Sequence, residues 1–176
     1  FHEALNMAKI WDLPIDFVCE NNLYMEYTAI SDVTAVEHPA ADRASAYSLE
    51  KIIVDGNDAD EMFRTAQTAI QKAREGNGPS LIEAKTYRHS GHSRADPGKY
   101  RPDEEVKDWL ENKDPITNYR KRLLDYNIDE KVISDIENKI KQEVEEATEI
   151  SKSSPIPDTK EIFTDVWADG GYEWHN

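Results

Sequence analysis

Apolar positions change their period along this chain, and each change marks an element. Phe1, Ala4, Leu5, Ala8 and Trp11 recur at helical spacing and predict an opening helix. Asp12-Leu13-Pro14 breaks that pattern, and residues 15–19 read as a short, mostly apolar strand with Asn21 and Asn22 at its carboxyl end. Residues 23–37 hold no sustained period and predict a loop with a short turn at 32–35. A helix is expected over 40–47, after Pro39, and a second strand over 49–54, closed by Asp55-Gly56-Asn57-Asp58. Residues 59–75 carry Met62, Ala66, Ala69, Ile70 and Ala73 on one stripe, and Gly76-Asn77-Gly78-Pro79 ends the helix they predict. Residues 81–85 give a third strand.

Strands alternating with helices predict an α/β fold with a largely parallel sheet, in which ligands bind beyond the carboxyl ends of the strands. Beyond Pro102 the composition shifts to charged helices, expected over 103–112, 115–126 and 129–151. The last carries Val132, Ile133, Ile136, Ile140, Val144, Ala147 and Ile150 on one stripe. Two readings of it stand level: a helix packed on its own domain, or a subunit contact. Residues 151–157 form a break, 161–167 a final short helix, and 170–174 an aromatic tail that fits either a partner anchor or a docked or frayed terminus. The expected domains are a partial ligand-binding domain over 1–101 and a helical carboxyl-terminal extension, 102–176, packed on it.

Composition narrows the function. A formal charge of -15 among 176 residues argues against a nucleic-acid binder and against anionic membranes, both of which select basic faces. No apolar run approaches a membrane span and nothing resembles a signal peptide, so a soluble, cytoplasmic protein is expected. Hydrophobic residues make up 38%, enough for one ordinary core. Cys19 is the only cysteine and, lying in an apolar strand pattern, reads as a small core residue, with no internal disulfide open to it.

Candidate chemistry concentrates in Tyr87-Arg88-His89-Ser90-Gly91-His92-Ser93-Arg94-Ala95-Asp96-Pro97, between the third strand and the Asp96-Pro97-Gly98 turn. Composition alone divides evenly between a functional loop and a merely solvated one. The segment resembles Tyr-Arg-x-x-Gly-His-Ser in the alpha subunit of thiamine-diphosphate-dependent dehydrogenases, the decarboxylating component of pyruvate, branched-chain 2-oxo acid and acetoin dehydrogenase complexes. A second match, Phe17-Val18-Cys19-Glu20-Asn21-Asn22-Leu23-Tyr24, is similar to the Glu-Asn-Asn end of the family's thiamine-diphosphate motif. That motif opens with Gly-Asp-Gly, which its usual spacing puts before Phe1.

The resemblance implies a thiamine-diphosphate-binding fold, incomplete at its amino end, and a set of roles. Asn22 and the Tyr24 carbonyl would bind Mg2+; Arg88 and His92 would lie at the cofactor diphosphate, with His92 catalytic. Ser93, Asp96, Tyr100 and Arg101 would order the active-site entrance, Ser93 matching a serine phosphorylated in animal relatives. It also implies a beta subunit in a heterotetramer, a lipoyl-bearing acyltransferase component, and inactivity of the isolated chain. Met25-Glu26-Tyr27-Thr28 replaces a common Gly-Met-Gly sequence, and this stretch, like Gly91 to Pro97, looks more like acetoin-dehydrogenase alpha subunits. Ser90 stands where many animal relatives carry histidine. A noncatalytic assembly module is the competing reading; a hydrolase is weaker, because no serine-nucleophile elbow is present.

Overall fold

The computed structural model describes residues 1–164; the expected aromatic tail and the end of the last predicted helix lie outside them. The chain divides into two compact units, Phe1–Asn127 and Ile128–Asn176. In chain order the first unit contains α1 (His2–Ile10), β1 (Asp16–Asn21), β2 (Tyr24–Met25), β3 (Thr28–Ala29), α2 (Ile30–Val33) and a 3-10 helix (Ala41–Tyr47). It continues with β4 (Ile52–Asp55), α3 (Ala59–Arg74), β5 (Ser80–Lys85), α4 (Asp103–Asn112) and α5 (Pro115–Asp125). The second unit holds α6 (Glu130–Ser153) and a 3-10 helix (Thr159–Phe163).

The expected parallel sheet is present, in the order β1-β5-β4. β5 pairs in parallel on both edges, Leu81 opposite Phe17 and Ile82 opposite Ile52. Its burial follows from that position: every residue from Ser80 to Ala84 is buried, as a strand covered on both faces requires. Leu81 joins Leu5, Ala40, Ala44 and Leu49 in one cluster, with Phe17, Cys19 and Tyr47 against it. Ile82 and Ala84 face the opposite way and meet Val54 and Ala69, with Ile52 and Met62 alongside. Leu5 and Leu81 are fully buried, so truncating either to alanine costs about 2–5 kcal/mol. Burial, then the neighbouring Glu83 and Glu20, push the Cys19 thiol up, which suits a packing role.

Three differences from the sequence expectation have local causes. Residues 41–47 wind as a 3-10 helix and end at Ser48 in a left-handed conformation; Leu49 then turns into the core, which delays the strand to Ile52. The stretch expected to be loop contains the β2–β3 hairpin and α2. Only the middle of the opening helix's stripe is covered: Leu5 and Ala8 are buried, while Phe1 and Trp11 are about 60% exposed. In α6, Ile133 is buried but Val132, Ile136, Ile140, Val144 and Ile150 are half or more exposed. No helix among the described residues is long and apolar enough to cross a membrane.

Within the first unit, α4 and α5 are fastened to the start of α3 and the turn before it. Asp58 caps α3 by accepting from the Asp60 and Glu61 amides, and the Arg122 guanidinium of α5 grips it with two nitrogens at 2.8 Å each. Arg122 also reaches Asp60 at 2.9 Å, where Tyr119 donates as well. Asn57 is the second fastening: its Oδ1 accepts from Thr86 Oγ1 at 2.7 Å and its Nδ2 donates to the Lys113 carbonyl at 2.8 Å.

The Arg122 guanidinium holds the Asp58 carboxyl far below the usual range, helped by the Glu61 amide, and lowers Asp60 too. Carboxyls depressed in the fold stabilise it above their ordinary value and lose that contribution as pH falls through the depressed one. Arg122→Gln is therefore expected to lower Tm at pH 7, with the gap to the parent narrowing below about pH 4. Thermal denaturation followed by circular dichroism from pH 3 to 8 checks this; a gap constant with pH would contradict the pairing.

Candidate functional site

The β1–β5 ladder continues past both strands. Thr86 donates its amide to the Asn21 carbonyl at 2.9 Å, and Arg88 donates to the Asn22 carbonyl at 3.3 Å. The two polar segments found in the sequence therefore leave the sheet side by side, at the carboxyl ends of adjacent parallel strands. The sheet places Asn22 and Arg88 together by backbone pairing, before any side chain is considered.

Asn22 closes a small turn on itself, its Oδ1 accepting from the Tyr24 amide at 3.1 Å, and remains half-buried. Leu23 between them is left-handed, with φ 69°. Its amide donates to Asn21 Oδ1 at 3.1 Å. Tyr27 takes the left-handed conformation that glycine favours, with φ 59°. That costs roughly 1–2 kcal/mol in a non-glycine residue, and the ring offsets part of it by packing edge-on against Tyr100 with centroids 5.8 Å apart.

The loop after β5 folds around Asp96. Its buried carboxylate accepts from the His92 amide at 2.6 Å, the Gly98 amide at 2.8 Å and the Tyr100 hydroxyl at 2.9 Å. These bonds, the His92 amide foremost, hold the Asp96 carboxyl below its ordinary value. Gly91 is required by the same closeness: a Cβ there would lie 2.5 Å from the Asp96 carbonyl oxygen. Gly98 supplies a positive φ of 66° at the turn.

Arg101 is the loop's second buried charge. Its guanidinium donates to the Arg88 carbonyl and lies 5.9, 5.7 and 5.6 Å from the ring centroids of Tyr24, Tyr87 and Tyr100, within cation–π range. Tyr87 stacks on Trp109 of α4 at 4.9 Å. Tyr24 donates to both oxygens of Glu105, at 3.1 and 2.9 Å. Burial first, then that bond, push the Tyr24 hydroxyl up to about 12, so it stays a donor at physiological pH.

His92 sits half-exposed at the rim. Its Nδ1 lies 3.1 Å from an Arg88 guanidinium nitrogen. A guanidinium only donates, so Nδ1 accepts and Nε2 presents the proton outward. Glu26 lies 3.8 Å from that Nε2. Arg88 Nε and His89 Nε2 are buried with no partner, an unsatisfied pair of polar atoms beside an exposed rim. Ser93 is exposed and accepts from the Ala95 amide through its Oγ. Among the described residues no three His, Cys, Asp or Glu side chains gather as a metal-binding group.

A family model described as the dehydrogenase E1 component matches residues 1–160. The chain belongs to the dehydrogenase E1 component family. It is 42% identical, over 95% of its length and 50% of the relative's, to the alpha subunit of acetoin:2,6-dichlorophenolindophenol oxidoreductase from Bacillus subtilis. It is 38% identical to the pyruvate dehydrogenase E1 component subunit alpha of Zymomonas mobilis, over 94% of this chain and 46% of that one. A chloroplastic pyruvate dehydrogenase E1 subunit, alpha-3, of Oryza sativa is 40% identical, over 96% of this chain and 40% of that one. The E1 chain spans about half the length of the curated relatives it matches.

In this E1 chain the sequence-derived residues fall into two groups. Asn22, Tyr24, Arg88, His92, Asp96, Tyr100 and Arg101 share one connected cluster, whereas Ser93 faces outward from it. Sequence reading quotes Asn21 and Glu26 within its motifs but gives no role to either, nor to Glu83, Glu105 or Trp109, all of which touch members of that cluster or its supports. Glu83 has a signal: it is the one charged residue among the buried positions of β5, Ser80 to Ala84. Trp109 and Glu105 have none, because α4 meets the loop only in three dimensions.

Asp96→Asn replaces an acceptor of three donors by a group that itself donates. It is expected to speed hydrogen exchange across residues 90–100 by about tenfold, the loss of roughly one hydrogen bond. Gly91→Ala should do the same by displacing the Asp96 backbone. Mass spectrometry of the exchanged peptides tests both, and unchanged exchange in both variants would refute the Asp96-centred loop.

Proposed function

We propose that this chain is the cofactor-holding part of the alpha subunit of a thiamine-diphosphate-dependent dehydrogenase. Its reaction is cleavage of acetoin or oxidative decarboxylation of a 2-oxo acid such as pyruvate, with the acyl group passed to a lipoyl carrier. The observation that carries the reading is the Arg88-to-Asn22 backbone bond, which joins a neutral oxygen donor set to a cationic loop. Family membership and the acetoin-oxidising relative support the same reading.

The residues suit the group. Mg2+ takes hard oxygen ligands and shares them with phosphates; Asn22 Oδ1 and the Tyr24 carbonyl are neutral oxygens that add no charge to a diphosphate complex. The unpartnered Arg88 Nε–H offers a diphosphate a charge-assisted bond. When bound, thiamine diphosphate supplies an electron sink for breaking a carbon–carbon bond. The chain's own residues position and protect that chemistry: Arg88 fixes the His92 tautomer, and His92 holds or delivers a proton at Nε2. Asp96 and Arg101 brace the loop, Tyr100 ties it to Asp96, and Ser93 marks its exposed edge, where an added phosphate would disorder it.

A beta subunit supplies the rest of the site in a heterotetramer, a lipoyl-bearing acyltransferase component takes the acyl group, and the setting is cytoplasmic. In the full assembly, Asn22→Ala is expected to weaken Mg2+-dependent thiamine-diphosphate binding at least about tenfold while shifting Tm little, since the side chain lies at a strand end. Isothermal titration calorimetry across Mg2+ concentrations checks this; unchanged affinity would overturn the cation role. His92→Ala should reduce lipoyl acylation far more than Tm, with acetoin, pyruvate and branched-chain 2-oxo acids compared as substrates.

A further inference from the structure

Glu83 is a fully buried carboxylate on the central strand, and its three partners are all donors. Asn21 Nδ2 donates to Oε1 at 2.7 Å; the Ala40 and Ala41 amides donate to Oε2 at 2.9 and 2.8 Å. The two backbone donors open the 3-10 helix, whose first amides otherwise have no acceptor. The side-chain donor has a different consequence. An acceptor-only carboxylate obliges Asn21 to turn its NH2 inward, which leaves Asn21 Oδ1 facing outward. That oxygen is the acceptor for the Leu23 amide. Leu23 is the left-handed residue between Asn22 and Tyr24.

We infer that Glu83 is a positioning residue: through the orientation of the Asn21 amide it sets the left-handed turn at Leu23 and so presents Asn22 and the Tyr24 carbonyl as ligands. The inference deepens the cation reading of the site above and rests on it. Glu83 touches neither ligand itself. Its influence passes along a polar relay in which each group has one permitted orientation, so the polarity of the whole relay can be reversed by exchanging its two ends.

The reversal supplies the test. In Glu83→Gln the new side chain's oxygen must still meet the Ala40 and Ala41 donors, so its NH2 faces Asn21; Asn21 then turns over and sets donor against donor at Leu23. In Asn21→Asp two acceptors face each other. In the double variant the amide introduced at position 83 donates to one oxygen of the carboxylate introduced at position 21. The other oxygen of that carboxylate accepts from Leu23, so every bond is restored, with the side-chain pair reversed in polarity.

The experiment uses the assembled enzyme with Mn2+ as a paramagnetic stand-in for Mg2+. It measures Mn2+ affinity by electron paramagnetic resonance in the presence of thiamine diphosphate, and hydrogen exchange across residues 20–25 in the metal-free enzyme. Each single variant is expected to weaken Mn2+ binding and speed exchange by about tenfold, and the double variant to recover both to within about threefold. A double variant no better than the worse single one, or single variants unchanged in either readout, would overturn the inference. Asn22→Ala separates the two claims. If it leaves Mn2+ affinity intact, the cation reading fails, and with it the functional half of the relay, while exchange alone still decides whether Glu83 sets the turn. Should Glu83→Gln not fold, Asn21→Asp and its rescue by the second substitution carry the same test.

Discussion

Everything at the site depends on β5 being paired on both edges. A strand in that position is closed to water on both faces and both sides, so its end points in a direction the sheet dictates. β1 arrives at the same end because it is parallel and in register, and the continuation of the ladder to Arg88 carries the order of the sheet into the loop. The site is thus a property of strand pairing first. Side-chain chemistry is laid on a backbone arrangement that would exist without it.

Charge is distributed against the average. The chain is strongly acidic, yet the loop after β5 gathers Arg88, His89, His92, Arg94 and Arg101 within fourteen positions of sequence, from 88 to 101. Two of its charged groups are turned inward: Asp96 organises amides and Arg101 organises aromatic rings. The inward pair makes the fold of the loop, and the guanidinium groups of Arg88 and Arg94 remain for the proposed anionic ligand. An acidic chain discourages nonspecific polyanions, and the basic residues of this loop set a local positive field against it, which is the division the proposed diphosphate reading calls for.

Most of the architecture was legible because it is written in period. The strands around Phe17, Val54 and Ile82 and the helices over 59–74, 103–112 and 115–125 follow apolar spacing that local physics alone imposes. That both polar segments follow the carboxyl ends of strands in a parallel sheet was legible too, whereas the adjacency of β1 and β5 that joins them comes from the sheet order. What was not legible depends on contacts without a period. The polarity of the loop suggests little burial, but Tyr87, Asp96 and Arg101 are buried, and the rings around Arg101 come from four separate places in the chain, counting the Trp109 stack. The hairpin after Tyr24 escaped for another reason: its two-residue strands are too short to show alternation.

Asn57 touches both ends of the segment that holds the loop, accepting from Thr86 where it leaves the sheet and donating to Lys113 where α4 has ended. A loop pinned at one end would sample a wide volume, and each ligand would have to overcome that freedom on arrival. Closing the segment on one small side chain shifts the loss of entropy to folding, where it grows only with the logarithm of the length enclosed. The enclosed segment can therefore lengthen over evolutionary time with little entropic penalty, so long as a single amide continues to hold its two feet together.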